Sequence, residues 1–277
     1  MYEEHWKLSE RPFENRFSTN FYYPSESHQA ALLKLRFTIE NRRSVAVVCG
    51  NSGMGKSMIV QQLRAQMPEI VGSVVHVAYP ALLPDQFVHY IASQMASDDA
   101  TTLTPASSMS ASIQSIEKSL AKTVQSGRHT VLVIDEAEWL EDQGTLDTLR
   151  LLLNLSIQHA SGEAAFTVLL SGQPSLIAHL ERHPALDQRV AIRCMLNRFL
   201  IDETNSYIGH RLRSANGSIE AIFQSDALDA VHQLCEGVPR RINSLCDLAL
   251  MVGYAQEQST IKLDLIENVH RELAPIA

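Results

Sequence analysis

Apolar residues along this chain fall into two kinds of run. Short, unbroken, β-branched stretches occur at 44–49, 73–79, 130–134, 165–171 and near 190–196, each with the length and composition of a buried strand. Between them, apolar positions recur at helical spacing. Leu32, Leu35 and Ile39 mark a helix from an N-cap at Ser25 to about Asn41, and Phe87, Ile91 and Met95 mark one near 85–96. Ile113, Ile116, Leu120 and Val124 mark a third over about 111–126, ending at Gly127. Further helices are predicted after residue 57, at 143–160 and at 175–182. Strand and helix alternate, so the pattern predicts an α/β fold with a parallel sheet covered on both faces. The strands stop after Asn197. Helices near 202–214, 225–235, 239–257 and 262–273 follow, the third carrying Ile242, Leu245, Cys246, Ala249 and Leu250. An α/β domain over 25–199 and a small all-helical domain over 200–277 are therefore expected, with the joint around 197–202. Residues 1–24 mix aromatics with turn formers, too apolar for a disordered tail, and are expected to pack against the folded domain. Residues 97–110, rich in Ser, Thr and Asp, are expected to form a flexible loop.

Composition narrows the classes. A chain of 277 residues with many aliphatics and few aromatics has ample material for a core. Its net charge of -8 argues against a protein devoted to gripping nucleic acid, without excluding a local basic face. Cys49, Cys194, Cys235 and Cys246 lack C-x-x-C spacing and sit in apolar runs. They read as reduced, buried small hydrophobes, implying neither disulfides nor a zinc site. The acidic start, Met1 to Trp6, has no signal-peptide h-region, and no apolar run is long enough to span a bilayer. A cytoplasmic location is expected.

The candidate chemistry begins at Gly50-Asn51-Ser52-Gly53-Met54-Gly55-Lys56-Ser57. The pattern G-x-x-x-x-G-K-[ST] lies between a predicted strand and a helix opening at Met58, the context that makes it a phosphate-binding loop. Glycines let the backbone curl so that several N–H groups point inward, and the helix N-terminus adds partial positive charge. Lys56 is expected to reach the β- and γ-phosphates of ATP, and Ser57 to ligate Mg²⁺. A second constellation, Val131-Leu132-Val133-Ile134-Asp135-Glu136, puts Asp135 at the mouth of a buried strand, where ligands bind in open α/β sheets. Beside a P-loop, Asp135 is expected to hold the Mg²⁺ through its water shell, and Glu136 to act as general base on the attacking water. Hydrolysis also needs cations to offset charge on the phosphates. Candidates are Arg182, Arg189, Arg193 and Arg198, and the Arg240-Arg241 pair.

With these pieces in place the chain resembles the AAA+ ATPases of the general-secretion-pathway A type (ExeA-like), grouped with transposition ATPases of the TniB and MuB kind. The resemblance rests on Phe13, the stretch Tyr23-Pro24-Ser25-Glu26-Ser27-His28, Gly172-Gln173-Pro174-Ser175-Leu176, Leu186-Asp187-Gln188-Arg189-Val190, and Gly237-Val238-Pro239-Arg240-Arg241-Ile242-Asn243. It implies the strand order 5-1-4-3-2 and a nucleotide site shared between subunits of a homo-oligomeric ring or filament. It also implies that Gln173 (or Ser171) is the sensor-1 group, Arg189 the arginine finger and Arg240 the sensor-2 arginine. The segment from Phe13 through Tyr23 to His28 would line the adenine pocket. Secretion members usually continue through a transmembrane helix into a periplasmic peptidoglycan-binding region, whereas this sequence stops at Ala277, so its partner is expected on another chain. Three functions follow from the resemblance. The first is an ATPase driving remodelling of a secretion or pilus-type complex. The others are an ATP switch on duplex DNA, to which the Lys and Arg residues of 34–43 and 182–198 could contribute, and a nucleotide-gated adaptor with little turnover.

Overall fold

The computed structural model describes residues 1–16, 18–96, 108–158 and 164–273. The loop expected at 97–110 lies outside them except for its last three positions. Five strands form one sheet: β1 (Val45–Cys49), β2 (Val71–Val77), β3 (His129–Ile134), β4 (Phe166–Gly172) and β5 (Val190–Met195). Their order is β2-β3-β4-β1-β5 and every pairing is parallel. Read from the other edge this is 5-1-4-3-2, as the resemblance implied. The three central strands are buried at every position, whereas the edge strands β2 and β5 are only partly covered. That contrast is why 130–134 and 165–171 read so clearly as continuous apolar runs.

Parallel neighbours need crossovers, and helices supply them. In chain order they are α1 (Glu26–Glu40), α2 (Lys56–Ala65), α3 (Pro84–Met95), α4 (Met109–Gln125), α5 (Thr145–Leu152), α6 (Ser175–Glu181) and α7 (Pro184–Asp187). After the sheet come α8 (Ile201–Ser214), α9 (Ile219–Ile222), α10 (Ser225–Cys235), α11 (Pro239–Ala255) and α12 (Leu263–Leu273). Three details depart from the pattern-based reading. β2 starts two residues earlier than expected and ends at Val77; its early start includes Gly72, where a Cβ would lie 2.8 Å from the Arg128 side chain. The helix expected over 143–160 ends at Leu152 and tightens into a 3₁₀ segment, Leu153–Gln158. A further 3₁₀ turn, Ala137–Leu140, follows β3.

The chain divides into two compact units. The α/β unit comprises Ser27–Asn51 and Ile59–Leu196. Its core sets Val47, Leu132, Val168 and Leu170 of the sheet among Phe87 and Ile91 of α3 and Leu146 and Leu149 of α5.

The helical unit comprises Met1–Glu26, Ser52–Met58 and Asn197–Ala277. The N-terminal segment is part of its core: Tyr2, Trp6, Leu8, Phe13 and Phe21 pack with Leu212, Ile242, Leu245 and Ile266. Polar groups fix that packing. The Trp6 indole N–H donates to the Leu250 carbonyl at 2.9 Å, and Arg211, 2% exposed, donates to the carbonyls of Pro12 and of Glu14, the latter at 2.9 Å. The Arg211 guanidinium lies 4.8 Å from the centre of the Phe21 ring. Burial lowers its pKa from the ordinary arginine value. Tyr207 donates to Asn243 Oδ1 at 2.7 Å, and Asn243 in turn donates to Asn15 Oδ1 at 2.9 Å.

Candidate nucleotide site

The glycine loop leaves β1 through Gly50, whose N–H donates to the Gly172 carbonyl at 3.2 Å. Gly53 has φ 81° and Gly55 φ 90°, values that side-chain-bearing residues adopt only under strain. α2 begins at Lys56, so the backbone N–H groups of its first turn face the loop. Met54 is buried and anchors the loop, Lys56 is 8% exposed, and Ser57 stands in solvent. Gly53 is constrained a second time. Its carbonyl accepts from the Arg240 N–H at 3.2 Å, and a Cβ there would lie 2.9 Å from the Arg240 Cβ. Pro239 opens α11 and has no N–H, so Arg240 carries the first free donor of that helix and gives it to the loop. Gly237, at φ 67°, is equally obligatory, because a Cβ would sit 2.1 Å from the Phe199 carbonyl oxygen. The family-like Gly-x-Pro-Arg spacing is thus a set of backbone requirements.

Parallel pairing brings the carboxyl ends of β3, β4 and β1 to one edge of the α/β unit, in that order. Asp135 follows β3; its N–H donates to the Val77 carbonyl at 3.0 Å, and its Oδ2 lies 3.3 Å from His76 Nε2. Glu136 adopts a left-handed conformation (φ 49°, ψ 41°) and is exposed. The chain therefore reverses directly after Asp135, and the turn Ala137–Leu140 buries Ala137, Glu138 and Leu140 while turning Trp139 outward. Glu138 Oε2 accepts from the Gln173 N–H at 3.1 Å. Of the two sensor-1 candidates, Ser171 is fully buried and Gln173 has an exposed side chain.

The arginines have different partners. In the α/β unit Arg182 pairs with Glu141 at 3.1 Å and Arg193 with Asp187, whereas Arg189 donates to the neutral amide of Asn154. In the helical unit Arg198 pairs with Glu236 at 2.5 Å and Arg241 with the same carboxylate at 3.7 Å. Among the described residues the Arg240 side chain, which is exposed, forms no ion pair. Phe13 lies in the helical core. The Tyr23 ring packs edge-on to Phe199 and Tyr207 at 5.8 and 5.7 Å and lies 5.7 Å from His210. His28, on α1, is buried in the α/β unit.

Sequence reasoning did not single out His76 or Glu138. His76 lies in a β2 whose limits were misplaced. Glu138 stood two residues past a recognised pair, where an acidic residue reads as a solvated charge. Its sequence signal is its place between Ala137 and Leu140, both of them anchors. Among the described residues no helix is long and apolar enough to cross a membrane.

Comparison with known proteins agrees with this architecture. A model of the AAA domain family matches residues 39–180. General secretion pathway protein A of Aeromonas hydrophila is 29% identical over 259 residues, covering 92% of this chain. That alignment covers 45% of the relative, so the chain spans about half the length of the curated protein it matches. The ORC2 protein of Aeropyrum pernix, solved as ADPNP-ADP complexes, superposes with a TM-score of 0.70 at 13% identity, covering 97% of this chain and 72% of that one. Drosophila ORC bound to DNA gives 0.68 at 16% identity, covering 98% and 65%. These structural likenesses establish the fold. With the family model spanning half of the sequence and the strand order in agreement, the chain belongs to the AAA domain family and is similar to general secretion pathway protein A.

Proposed function

We propose that this chain binds and hydrolyses ATP, self-assembles with its nucleotide sites shared between subunits, and couples turnover to remodelling of a secretion or pilus-type complex. One observation carries the reading. A loop with positive φ at Gly53 and Gly55 runs from β1 into a helix opening at Lys56, while β3, on the same sheet, ends in Asp135-Glu136. The N–H groups of the first turn of α2 and the ammonium of Lys56 suit the triphosphate. The Ser57 hydroxyl and the Asp135 carboxylate are oxygen donors of the kind Mg²⁺ takes, and the ion would offset phosphate charge when bound. Glu136, exposed at the sheet edge, takes a proton from the attacking water, and Gln173 orients near the γ-phosphate. Arg189, whose partner is a neutral amide, keeps its full charge for a neighbour's site, and Arg240 senses nucleotide through α11. The similarity to general secretion pathway protein A supports the process assigned.

A switch on duplex DNA is the second reading, favoured by fold likeness to an ORC solved bound to DNA. The deciding experiment measures ATPase rate per subunit against protein concentration, with and without duplex DNA, at low and moderate salt. A rate that rises with concentration and ignores DNA supports the first reading. Strong stimulation that fades with salt supports the second. No turnover under any condition, with Lys56→Ala indistinguishable from wild type in ATP binding, sinks both.

A further inference from the structure

We propose that Glu138 is a positioning residue for this reaction: its carboxylate holds the Gly172-Gln173 loop against the turn that carries Glu136, and so sets Gln173. The proposal rests on the roles given above to Glu136 and Gln173. Three observations within the α/β unit lead to it. First, the chain reverses at Glu136, and Ala137 and Leu140, both fully buried, pin the turn so that Glu138 faces inward. Second, Glu138 Oε2 accepts from the Gln173 N–H at 3.1 Å. Among the described residues no backbone carbonyl accepts from that N–H, since Gln173 lies past the end of β4 and ahead of α6. Third, a Cβ on residue 172 would lie 2.6 Å from the same oxygen, so the carboxylate occupies the space that any side chain there would need. Glycine at 172 and glutamate at 138 form one fitted unit.

Stability alone does not account for a carboxylate in this place. Glu138 is 8% exposed, and its other oxygen, Oε1, is buried with no hydrogen-bond partner among the described residues. Removing a carboxylate from water for one hydrogen bond is costly, so the contact holds the two loops together at an expense in stability. What the carboxylate adds is a fixed distance between two loops that would otherwise move separately. One loop carries the proposed base and the other the proposed sensor.

The test uses the full chain. Glu138→Ala should lower kcat by about tenfold or more with KM for ATP within about threefold, as expected when a catalytic group is misplaced and ground-state binding is not. Glu138→Gln should keep at least about half the wild-type kcat, because its amide oxygen still accepts from Gln173. Adding Glu138→Ala to Gln173→Ala should cost nothing beyond Gln173→Ala alone. Amide hydrogen exchange at Gln173 should be faster in Glu138→Ala and unchanged in Glu138→Gln. If Glu138→Gln falls as far as Glu138→Ala, the carboxylate acts through its charge and the proposal is overturned. Additive losses in the double variant overturn it as well. Should the wild-type chain show no turnover, the ATPase reading fails while exchange still decides the holding role: unchanged protection in Glu138→Ala refutes it. If Glu138→Ala does not fold, Gly172→Ala displaces the same contact and must show the same loss of kcat and the same faster exchange.

Discussion

The two units place their buried polar groups to different ends. In the helical unit these groups staple one segment of chain to another: Trp6 to Leu250, Arg211 to Pro12 and Glu14, and Tyr207 through Asn243 to Asn15. Each joins residues far apart in sequence, and each satisfies a backbone or amide group that aromatic packing would otherwise strand. In the α/β unit one group of buried polar side chains lies at the carboxyl edge of the sheet, and there some atoms are left incompletely paired. Glu138 Oε1 and Ser171 Oγ are buried without hydrogen-bond partners among the described residues, and Glu136 holds a left-handed backbone without being glycine. Buried atoms without partners among the described residues occur in the helical unit as well, at Tyr22 Oη, Asn205 Oδ1 and His210 Nε2, and non-glycine residues there also take positive φ, so what sets the sheet edge apart is that such atoms lie beside Asp135 and the left-handed Glu136.

The contrast can be broken at either end. The largest effect is expected at Arg189. Arg189→Ala should lower kcat by about 10³–10⁵-fold with ATP affinity nearly intact, the range of an arginine finger. Mixing it with Lys56→Ala protein should restore part of the rate, and absence of any rescue counts against a shared site. In the helical unit, Trp6→Ala removes a residue that is 6% exposed along with its hydrogen bond, and should cost about 3–5 kcal/mol of stability in urea denaturation. A loss below about 1 kcal/mol would mean the N-terminal segment is not part of that core.

One titrating staple also lies in the α/β unit, at the end of the sheet away from the proposed chemistry. Thr167 donates its only hydroxyl hydrogen to the Arg43 carbonyl at 2.7 Å, so it accepts from His129 Nε2, 2.8 Å away. His129 Nδ1 is buried without a partner among the described residues. Burial, helped by the charge of Arg42, lowers the His129 pKa from 6.5 to about 4. The unfolded chain therefore takes up the proton first as pH falls. Stability is complete above about pH 6.5 and declines towards pH 4, by up to about 3 kcal/mol. Replacing His129 with Gln should flatten that part of the pH–stability profile, and an unchanged slope would contradict the assignment. The smallest effect concerns strain. Glu136→Gly should raise stability by up to about 1 kcal/mol while losing turnover, because glycine accepts the left-handed backbone. A drop in stability would show that the site is relaxed.

Much of this was legible in the sequence, for physical reasons that also mark where legibility ends. The strands at 130–134 and 165–171 lie in the middle of a parallel sheet, where burial on both faces forces unbroken apolar runs. The glycine loop was legible because the backbone it needs admits few residues. β2 was misplaced because it is an edge strand interrupted by Gly72, whose requirement comes from Arg128 on another segment. The aromatics of the first 24 residues showed that the segment packs, but their neighbours on α8 and α11 lie some two hundred positions away and leave no local mark. Glu138 was missed for the same reason: its partner sits beyond the next crossover, and nothing beside it in the chain distinguishes it from a surface charge.

The central claim, that residues at the sheet edge turn over ATP, is tested most directly by single-turnover hydrolysis in Glu136→Gln alongside equilibrium ATP binding. The account predicts binding within about threefold of wild type and a hydrolysis rate lower by about 10²–10⁴-fold, the contribution of a general base. Hydrolysis at the wild-type rate would contradict it.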